Sequence, residues 1–183
     1  MLVEAKRSQL LIVDVQERLL PAMHAGEAMI DRCAILLQSA AELKVPALLS
    51  EQYRKGLGAT VERLSNVKGD APVFEKMHFS CAAEPAIANH IGDRVKAGRD
   101  QLVIAGIESH VCVLQTALGF RRIGLEVYVV ADAVTSRRPE SVALAQDRLR
   151  AAGVNVVNTE MAVFEWLHVS GTPEFKTVSK LIK

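Results

Sequence analysis

Three side chains with the chemistry of a hydrolytic site follow strand-like apolar runs in this sequence: Asp14, Lys76 and Cys112. The carboxyl ends of parallel strands meet at one edge of a sheet, where active sites of such folds lie, so we expect the three to converge. A thiol with a carboxylate base beside it can attack a carbonyl carbon and form a thioester. Their placement therefore predicts a cysteine hydrolase.

Cys112 follows a buried strand and a break at Gly106, and it falls in the first turn of a predicted helix. The unpaired backbone N–H groups and the positive dipole end at that position favour the thiolate, which is the nucleophilic form. The alternative is a small buried residue that packs the start of the helix, because free cysteine is among the most buried residue types.

Asp14 is the predicted general base, because an ionised carboxylate after four apolar residues is costly unless it is paired. Lys76 would supply the pairing charge and could also hydrogen-bond a substrate. The alternatives are a turn aspartate and a solvated surface lysine. His110 ranks below Asp14 as the base, because a residue so close to Cys112 at a helix start points elsewhere. Asp132 ends the fifth strand and is expected at the same edge.

Of the other two cysteines, Cys33 receives a structural interpretation and Cys81 stays ambiguous. Cys33 lies in the middle of a helical pattern on its apolar face, and no strand places Cys81 at the catalytic edge. The odd number of cysteines and the absence of a CxxC pair argue against a disulfide framework or a zinc knuckle, and they favour a reducing cytoplasm.

Composition excludes several classes of protein. The chain has 183 residues, is 50% apolar and carries a net charge of +1, which suits one globular domain over residues 1–183. The sequence has no basic stripe with interleaved aromatic residues, which is the pattern that predicts nucleic-acid binding. No apolar run approaches the roughly 20 residues that span a bilayer. The N-terminus has no apolar signal region, so we expect a cytoplasmic protein without membrane contact.

Six strand-like runs alternate with helical patterns along the chain. The expected strands are 8–13, 45–50, 72–75, 101–105, 125–131 and 154–157, and the expected helices are 28–43, 82–96, 111–123, 139–152, 159–167 and 173–182. The stretch 51–70 is predicted to be mostly loop. This alternation predicts an α/β fold, a single-domain three-layer α/β/α structure with a mainly parallel six-stranded sheet.

Three segments resemble the motifs of the isochorismatase-like cysteine hydrolases. They are Leu-Ile-Val-Asp14-Val-Gln16, Phe74-Glu-Lys76-Met-His-Phe-Ser80 and Ala105-Gly-Ile-Glu108-Ser-His-Val-Cys112-Val. Residues 15–21, 50–53 and 175–183 look closest to the isochorismatase domain-containing branch. The resemblance covers essentially the whole chain, with the motifs in the same order and spacing.

The resemblance implies a catalytic triad of Asp14, Lys76 and Cys112 that acts on a small amide or related C–N substrate. It also implies a cis peptide bond between Ile107 and Glu108, and an oxyanion hole formed by the backbone N–H groups of Glu108 and Cys112. Homo-oligomerisation through helical faces is implied as well.

Further expectations concern the pocket and cofactors. From their placement near the same edge, we expect Gln16, Tyr53 and Phe79 to line the substrate pocket. Relatives that are nicotinamidases carry an Asp-x-His metal motif where this chain reads Ser-Glu-Gln-Tyr at 50–53, so no metal or other cofactor is expected. Glu108 replaces a small residue and would repel acidic substrates.

Two rival functions stay open at this point. The first is a non-catalytic scaffold that keeps the fold and acts by binding or oligomerisation, since a fold alone does not establish an activity. The second is a redox-sensing thiol at Cys112 that oxidises reversibly without hydrolysis.

Overall fold

A computed structural model describes residues 1–182 and has a six-stranded, all-parallel sheet at its centre. The strands are β1 (Ser8–Val13), β2 (Ala47–Gln52), β3 (Val73–Lys76), β4 (Gln101–Ile107), β5 (Glu126–Thr135) and β6 (Asn155–Val157). Their spatial order is β3-β2-β1-β4-β5-β6, and every neighbouring pair is parallel. The predicted fold class is confirmed, whereas the extent of the domain to residue 183 stays a prediction.

Helices cover both faces of the sheet. They are α1 (Gly26–Glu42), α2 (Arg54–Leu57), α3 (Glu62–Ser65), α4 (Pro85–Lys96), α5 (Leu114–Arg122), α6 (Pro139–Ala151), α7 (Thr159–Leu167) and α8 (Pro173–Val178). Short 3-10 turns occupy Leu20–Ala22 and Cys81–Ala83, and a π-helical turn spans Ser109–Val113.

Two apolar cores form because side chains along each strand alternate between the faces. Leu10 and Ile12 of β1 pack with α1 and α7 on one face. Leu11 and Val13 pack with α4 and α5 on the other. All residues of β1 and β4 are buried, as expected for strands covered on both sides.

The approach of β4 to the end of β1 depends on Gly106. This residue has φ +113°, and a Cβ atom there would lie 2.1 Å from the carbonyl oxygen of Val13. Only glycine fits this backbone conformation at such close range. The next residue of the β1 chain, Asp14, has φ +53°, a left-handed conformation that aspartate tolerates. The glycine therefore sets the distance between Asp14 and the segment that follows β4.

The structure differs from the expected elements mainly in β5, which continues to Thr135 rather than ending before Asp132. Between paired residues Ile104–Val129 and Gly106–Val134, β4 advances two residues while β5 advances five. Asp132 lies in this bulge, where its Oδ1 accepts hydrogen bonds from the N–H and Oγ1 of Thr159. The expectation that Asp132 lies at the catalytic edge is wrong, because the carboxylate caps α7 instead.

The stretch 51–70 also differs from the expected loop, because β2 extends through Gln52 and α2 and α3 follow it. Helix α8 ends at Val178, short of the expected boundary. Within the part of the chain that the structure describes, no helix has the length and apolar character needed to cross a bilayer.

Candidate active site

The structure brings Asp14, Lys76 and Cys112 together beyond the carboxyl ends of β1, β3 and β4. Their exposed fractions are 0%, 2% and 6%. Lys76 Nζ lies 2.8 Å from Asp14 Oδ2, and the Cys112 thiol is close enough for the charge of Asp14 to raise its pKa. Strand β2 lies between β1 and β3, so only a long side chain can reach Asp14 from Lys76. A buried thiol, carboxylate and ammonium therefore form one cluster.

Lys76 is fully engaged by the protein. Its Nζ donates to Gln52 Oε1 at 2.6 Å and to the carbonyl oxygens of His78 and Phe79 at 3.2 Å each. An ammonium group has three N–H donors, so these acceptors and Asp14 leave none for a ligand. The expected direct hydrogen bond from Lys76 to a substrate has no donor here. The lysine instead balances Asp14 and fixes residues 78–79.

The two oxygens of Asp14 have different partners. Oδ1 accepts a 2.7 Å hydrogen bond from Ser50 Oγ. Oδ2 faces Lys76 but receives no well-directed hydrogen bond from the residues described. Burial raises the pKa of Asp14, and the charge of Lys76 opposes that rise. Although burial alone would lower the pKa of Lys76, the negative charge of Asp14 raises it. Asp14 and Lys76 therefore stabilise each other's charged forms, and Oδ2 is the carboxylate oxygen without a directed hydrogen bond.

Cys112 is not a preformed thiolate. It lies in the π-helical turn before α5 rather than in the first turn of an α-helix. Burial raises the pKa of the thiol, and the negative charge of Asp14 raises it further. These effects outweigh the stabilisation of the thiolate expected from a helix start. Any reaction at this sulfur therefore needs a base that removes the thiol proton.

Cys81, which the sequence left ambiguous, lies beside the cluster although no strand carries it there. The 3-10 turn after β3 brings its Sγ to 3.6 Å from Ser50 Oγ. Burial, followed by the charge of Asp14, raises its pKa to about 11. Cys81 is fully buried, and its thiol packs against the Ser50 hydroxyl. No strand pattern in the sequence could place a residue in this turn.

The turn that carries Cys112 begins at Glu108, and the Ile107–Glu108 peptide bond is cis. Among residues 1–182, the backbone N–H of Glu108 donates to no protein acceptor. The Glu108 side chain, by contrast, is paired, because its Oε2 accepts hydrogen bonds from the backbone N–H and Nε of Arg137, each at 3.1 Å. Arg137 therefore balances the charge of Glu108, while the expected repulsion of acidic substrates stays a prediction.

The three residues expected to line the pocket have different environments. Tyr53 and Phe79 are exposed near the carboxyl edge. Gln16 is fully buried, and its amide bonds the backbone: Nε2 donates to the carbonyl oxygens of Gln52 and Gly58, and Oε1 accepts from Gln52 N–H. Gln16 therefore ties β1 to the end of β2, and its polar atoms are not available to a ligand.

The end of β2 does not suit the metal motif of nicotinamidases. Glu51 Oε1 accepts hydrogen bonds from the N–H and Oγ1 of Thr60, and Glu51 Oε2 lies 3.4 Å from Arg54 Nε. The amide of Gln52 is shared between Lys76 and the Met77 carbonyl. Among residues 1–182, no three His, Cys, Asp or Glu side chains are grouped to hold an ion.

Several residues of the site carry no catalytic signal in the sequence: Ser50, Gln52, Cys81 and Arg137. Ser50 ends a predicted strand at the same edge, which was the available signal for it, whereas Gln52 falls in the stretch predicted to be mostly loop. Arg137 follows the unexpected extension of β5, so no sequence pattern indicated its position.

Comparison with known proteins identifies the family. The family model for the isochorismatase domain matches residues 8–161. The secreted isochorismatase effector Isc1 of Phytophthora sojae is 37% identical over 96% of this chain and 84% of its own length. Isochorismatase domain-containing protein 2 of Danio rerio is 35% identical over 97% of this chain and 87% of its own.

Solved structures agree with this result. A structure described as the MAR1 ribonuclease of Caenorhabditis elegans superposes with a TM-score of 0.92 and 32% identity, covering 100% of this chain and 92% of that one. The chain belongs to the isochorismatase-like hydrolase family.

Proposed function

We propose that this protein is a cysteine hydrolase that cleaves a small amide or a related C–N bond through a thioester on Cys112. The observation that carries the proposal is that the two carboxylate oxygens of Asp14 have different partners. One carboxylate oxygen accepts a hydrogen bond from Ser50, the other lies 2.8 Å from Lys76 Nζ, and the charge of the carboxylate acts on the nearby Cys112 thiol. A buried carboxylate placed in this way can accept the thiol proton as the sulfur attacks.

The reaction proceeds in two halves. Asp14 takes the Cys112 proton, and the sulfur adds to the substrate carbonyl carbon. The backbone N–H groups of Glu108 and Cys112 stabilise the resulting oxyanion, with each such donor contributing a factor of about 100–1,000 in rate. Protonated Asp14 then gives its proton to the leaving amine. Water, deprotonated by Asp14, attacks the thioester and releases the acid and the free thiol.

Lys76 acts on the base rather than on the substrate in this mechanism. Its charge keeps Asp14 ionised in a buried site, where an unpaired carboxylate would take up a proton instead. Its contacts with the His78 and Phe79 carbonyls hold the segment after β3 against the cluster. Phe79 and Tyr53 then provide exposed aromatic surface at the rim.

The test compares Cys112→Ala with Cys33→Ala, a matched control at a buried thiol on α1. Ammonia release is measured over a panel of small amides, and mass spectrometry of the intact protein follows acyl adducts. We expect no release and no adduct in the Cys112 variant, and near-normal release in the control. Amide hydrolysis that survives Cys112→Ala would contradict the proposal, and a wild-type protein inert to every amide would favour the non-catalytic scaffold.

We also propose that the protein forms a homo-oligomer. Ile123, just after α5, and Leu144 of α6 are 62% and 66% exposed in the isolated chain. Exposed large apolar side chains are candidates for burial in a protein interface. Light scattering after size exclusion should show a multiple of the 19.9 kDa chain mass, and Ile123→Glu with Leu144→Glu should reduce it. A monomeric wild-type protein would contradict this proposal.

A further inference from the structure

We propose that Arg137 recognises an anionic group of the substrate, so that the preferred substrate is an amide that also carries a carboxylate. This inference rests on the proposed function for its substrate, but Arg137 itself can be tested without turnover. The argument begins with the placement of Arg137 at the same sheet edge as the triad.

The end of β5 places Arg137 beside the π-helical turn that carries Cys112. Thr135 pairs with Ile107, the last residue of β4. The next residue, Ser136, is fully buried, and its Oγ lies 2.9 Å from His110 Nδ1. His110 belongs to the same π-helical turn as Cys112. The residue that follows Ser136 is therefore held beside the turn that carries Cys112.

Glu108 orients the guanidinium group of Arg137. The Glu108 side chain is 9% exposed and accepts from both the backbone N–H and Nε of Arg137, whose side chain is 61% exposed. The carboxylate is thus largely covered while the cationic end faces solvent. A guanidinium that is already held in place loses less conformational freedom when it binds a ligand.

The outer nitrogens of Arg137 remain available. Across residues 1–182, its Nη1 and Nη2 atoms form no hydrogen bond with the protein, although Nε is occupied. These two groups present N–H donors in the planar geometry that matches a carboxylate with two parallel hydrogen bonds. The triad offers no such group, because every donor of Lys76 is already taken. A carboxylate on the substrate would therefore find its partner at Arg137.

The first experiment uses two alkylating reagents of nearly equal size that differ in charge, iodoacetate and iodoacetamide. Peptide mass spectrometry gives the rate of modification of Cys112 by each reagent, and the ratio of the two rates reports anion recruitment. We expect Arg137→Gln to lower the iodoacetate-to-iodoacetamide ratio by about tenfold, the scale of a charge-assisted contact. The exposed neighbour provides the matched control, because Arg138→Gln should leave the ratio unchanged.

Removal of Arg137 also uncovers the charge of Glu108, which by itself would repel iodoacetate. The double variant Glu108→Gln/Arg137→Gln keeps the local net charge of the wild type and separates the two effects. A ratio that stays low in the double variant supports recognition by the guanidinium. A return to the wild-type ratio, or equal slowing of both reagents in the single variant, would overturn the inference.

The second experiment uses turnover of the monoamide of succinic acid and of butyramide, its neutral counterpart. We expect Arg137→Gln to raise KM for the acidic amide with little change in kcat, and to leave butyramide kinetics nearly unchanged. Equal effects on both amides would contradict recognition of the carboxylate. Because alkylation requires no hydrolysis, a shift in the reagent ratio without amide turnover would uphold Arg137 and reject the proposed reaction.

Discussion

Ser50 donates a 2.7 Å hydrogen bond to Asp14 Oδ1, and this contact decides which oxygen of the base is free. The serine hydroxyl in turn lies 3.6 Å from the Cys81 sulfur, so it is held from the side away from Asp14. The bond stabilises the ionised form of the carboxylate and opposes the effect of burial on its pKa. Ser50 is therefore a positioning residue for the general base.

Replacement of Ser50 by alanine should lower kcat/KM by about 10–100-fold, because a hydrogen bond to a charged group is lost. The pKa of Asp14 should rise further, so the acid limb of the pH–rate profile should move to higher pH. Ser39→Ala is the matched control, since Ser39 is fully buried and its hydroxyl has no partner among the residues described. An unshifted acid limb in Ser50→Ala would argue against this role.

The pH dependence of the wild type follows from the buried pair. Activity requires Asp14 ionised, and burial raises its pKa, so we expect kcat/KM to fall at a pH above the ordinary aspartate range. Folding favours the protonated form of Asp14, so this group contributes more stability as pH falls through its folded pKa. Acid inactivation should therefore precede unfolding and be reversible. Thermal melts at each pH provide the check, and a melting temperature that falls together with activity would contradict it.

The ion pair itself can be tested by a double-mutant cycle. Lys76→Met leaves Asp14 buried without a partner and should cost about 3–5 kcal/mol of the free energy of unfolding, which lowers Tm by about 10 °C. Asp14→Asn together with Lys76→Met should recover much of this loss. Additive losses in the double variant would mean that the two side chains do not interact.

Replacement of Asp14 should lower the pKa of the Cys112 thiol rather than raise it. The carboxylate raises the pKa of Cys112, so Asp14→Asn should shift the pH midpoint of Cys112 alkylation downward while it abolishes turnover. Burial remains, so the midpoint should stay above that of an ordinary thiol. A midpoint that rises or does not move would show that the two groups are not coupled. Cys33 serves as the internal reference, since it is fully buried and remote from Asp14.

A glycine pair tests the close approach of β4 to β1. Gly106→Ala should cost about 3 kcal/mol or more of the free energy of unfolding, because the added Cβ would lie 2.1 Å from the Val13 carbonyl oxygen. Gly92→Ala lies within α4, where nothing comes within 4 Å of an added Cβ. That variant should gain about 0.5–1 kcal/mol in denaturant titrations. Equal effects at the two sites would refute the argument from contact.

The sequence predicted the elements whose signal is periodic. The strands β1 and β4 are continuous apolar runs, and α7 has the expected bounds, because burial on two faces and helical spacing both leave a local pattern. The bulge in β5 left no such pattern, so Asp132 was misplaced. Likewise, Cys81 and Arg137 reach the cluster through a turn and a strand extension, which only tertiary packing determines. The charge state of Cys112 depended on burial and on Asp14, neither of which the local sequence measures.

The bulge in β5 has a consequence for how this site can change. The residues that carry the proposed chemistry follow β1, β3 and β4, whereas Arg137 follows β5, whose bulge adds three residues relative to β4. Lengthening or shortening the bulge would alter which side chain emerges next to Glu108 while leaving the nucleophile and its base in register. On the proposed roles, substrate preference could change through β5 alone, while Asp14, Lys76 and Cys112 keep their positions.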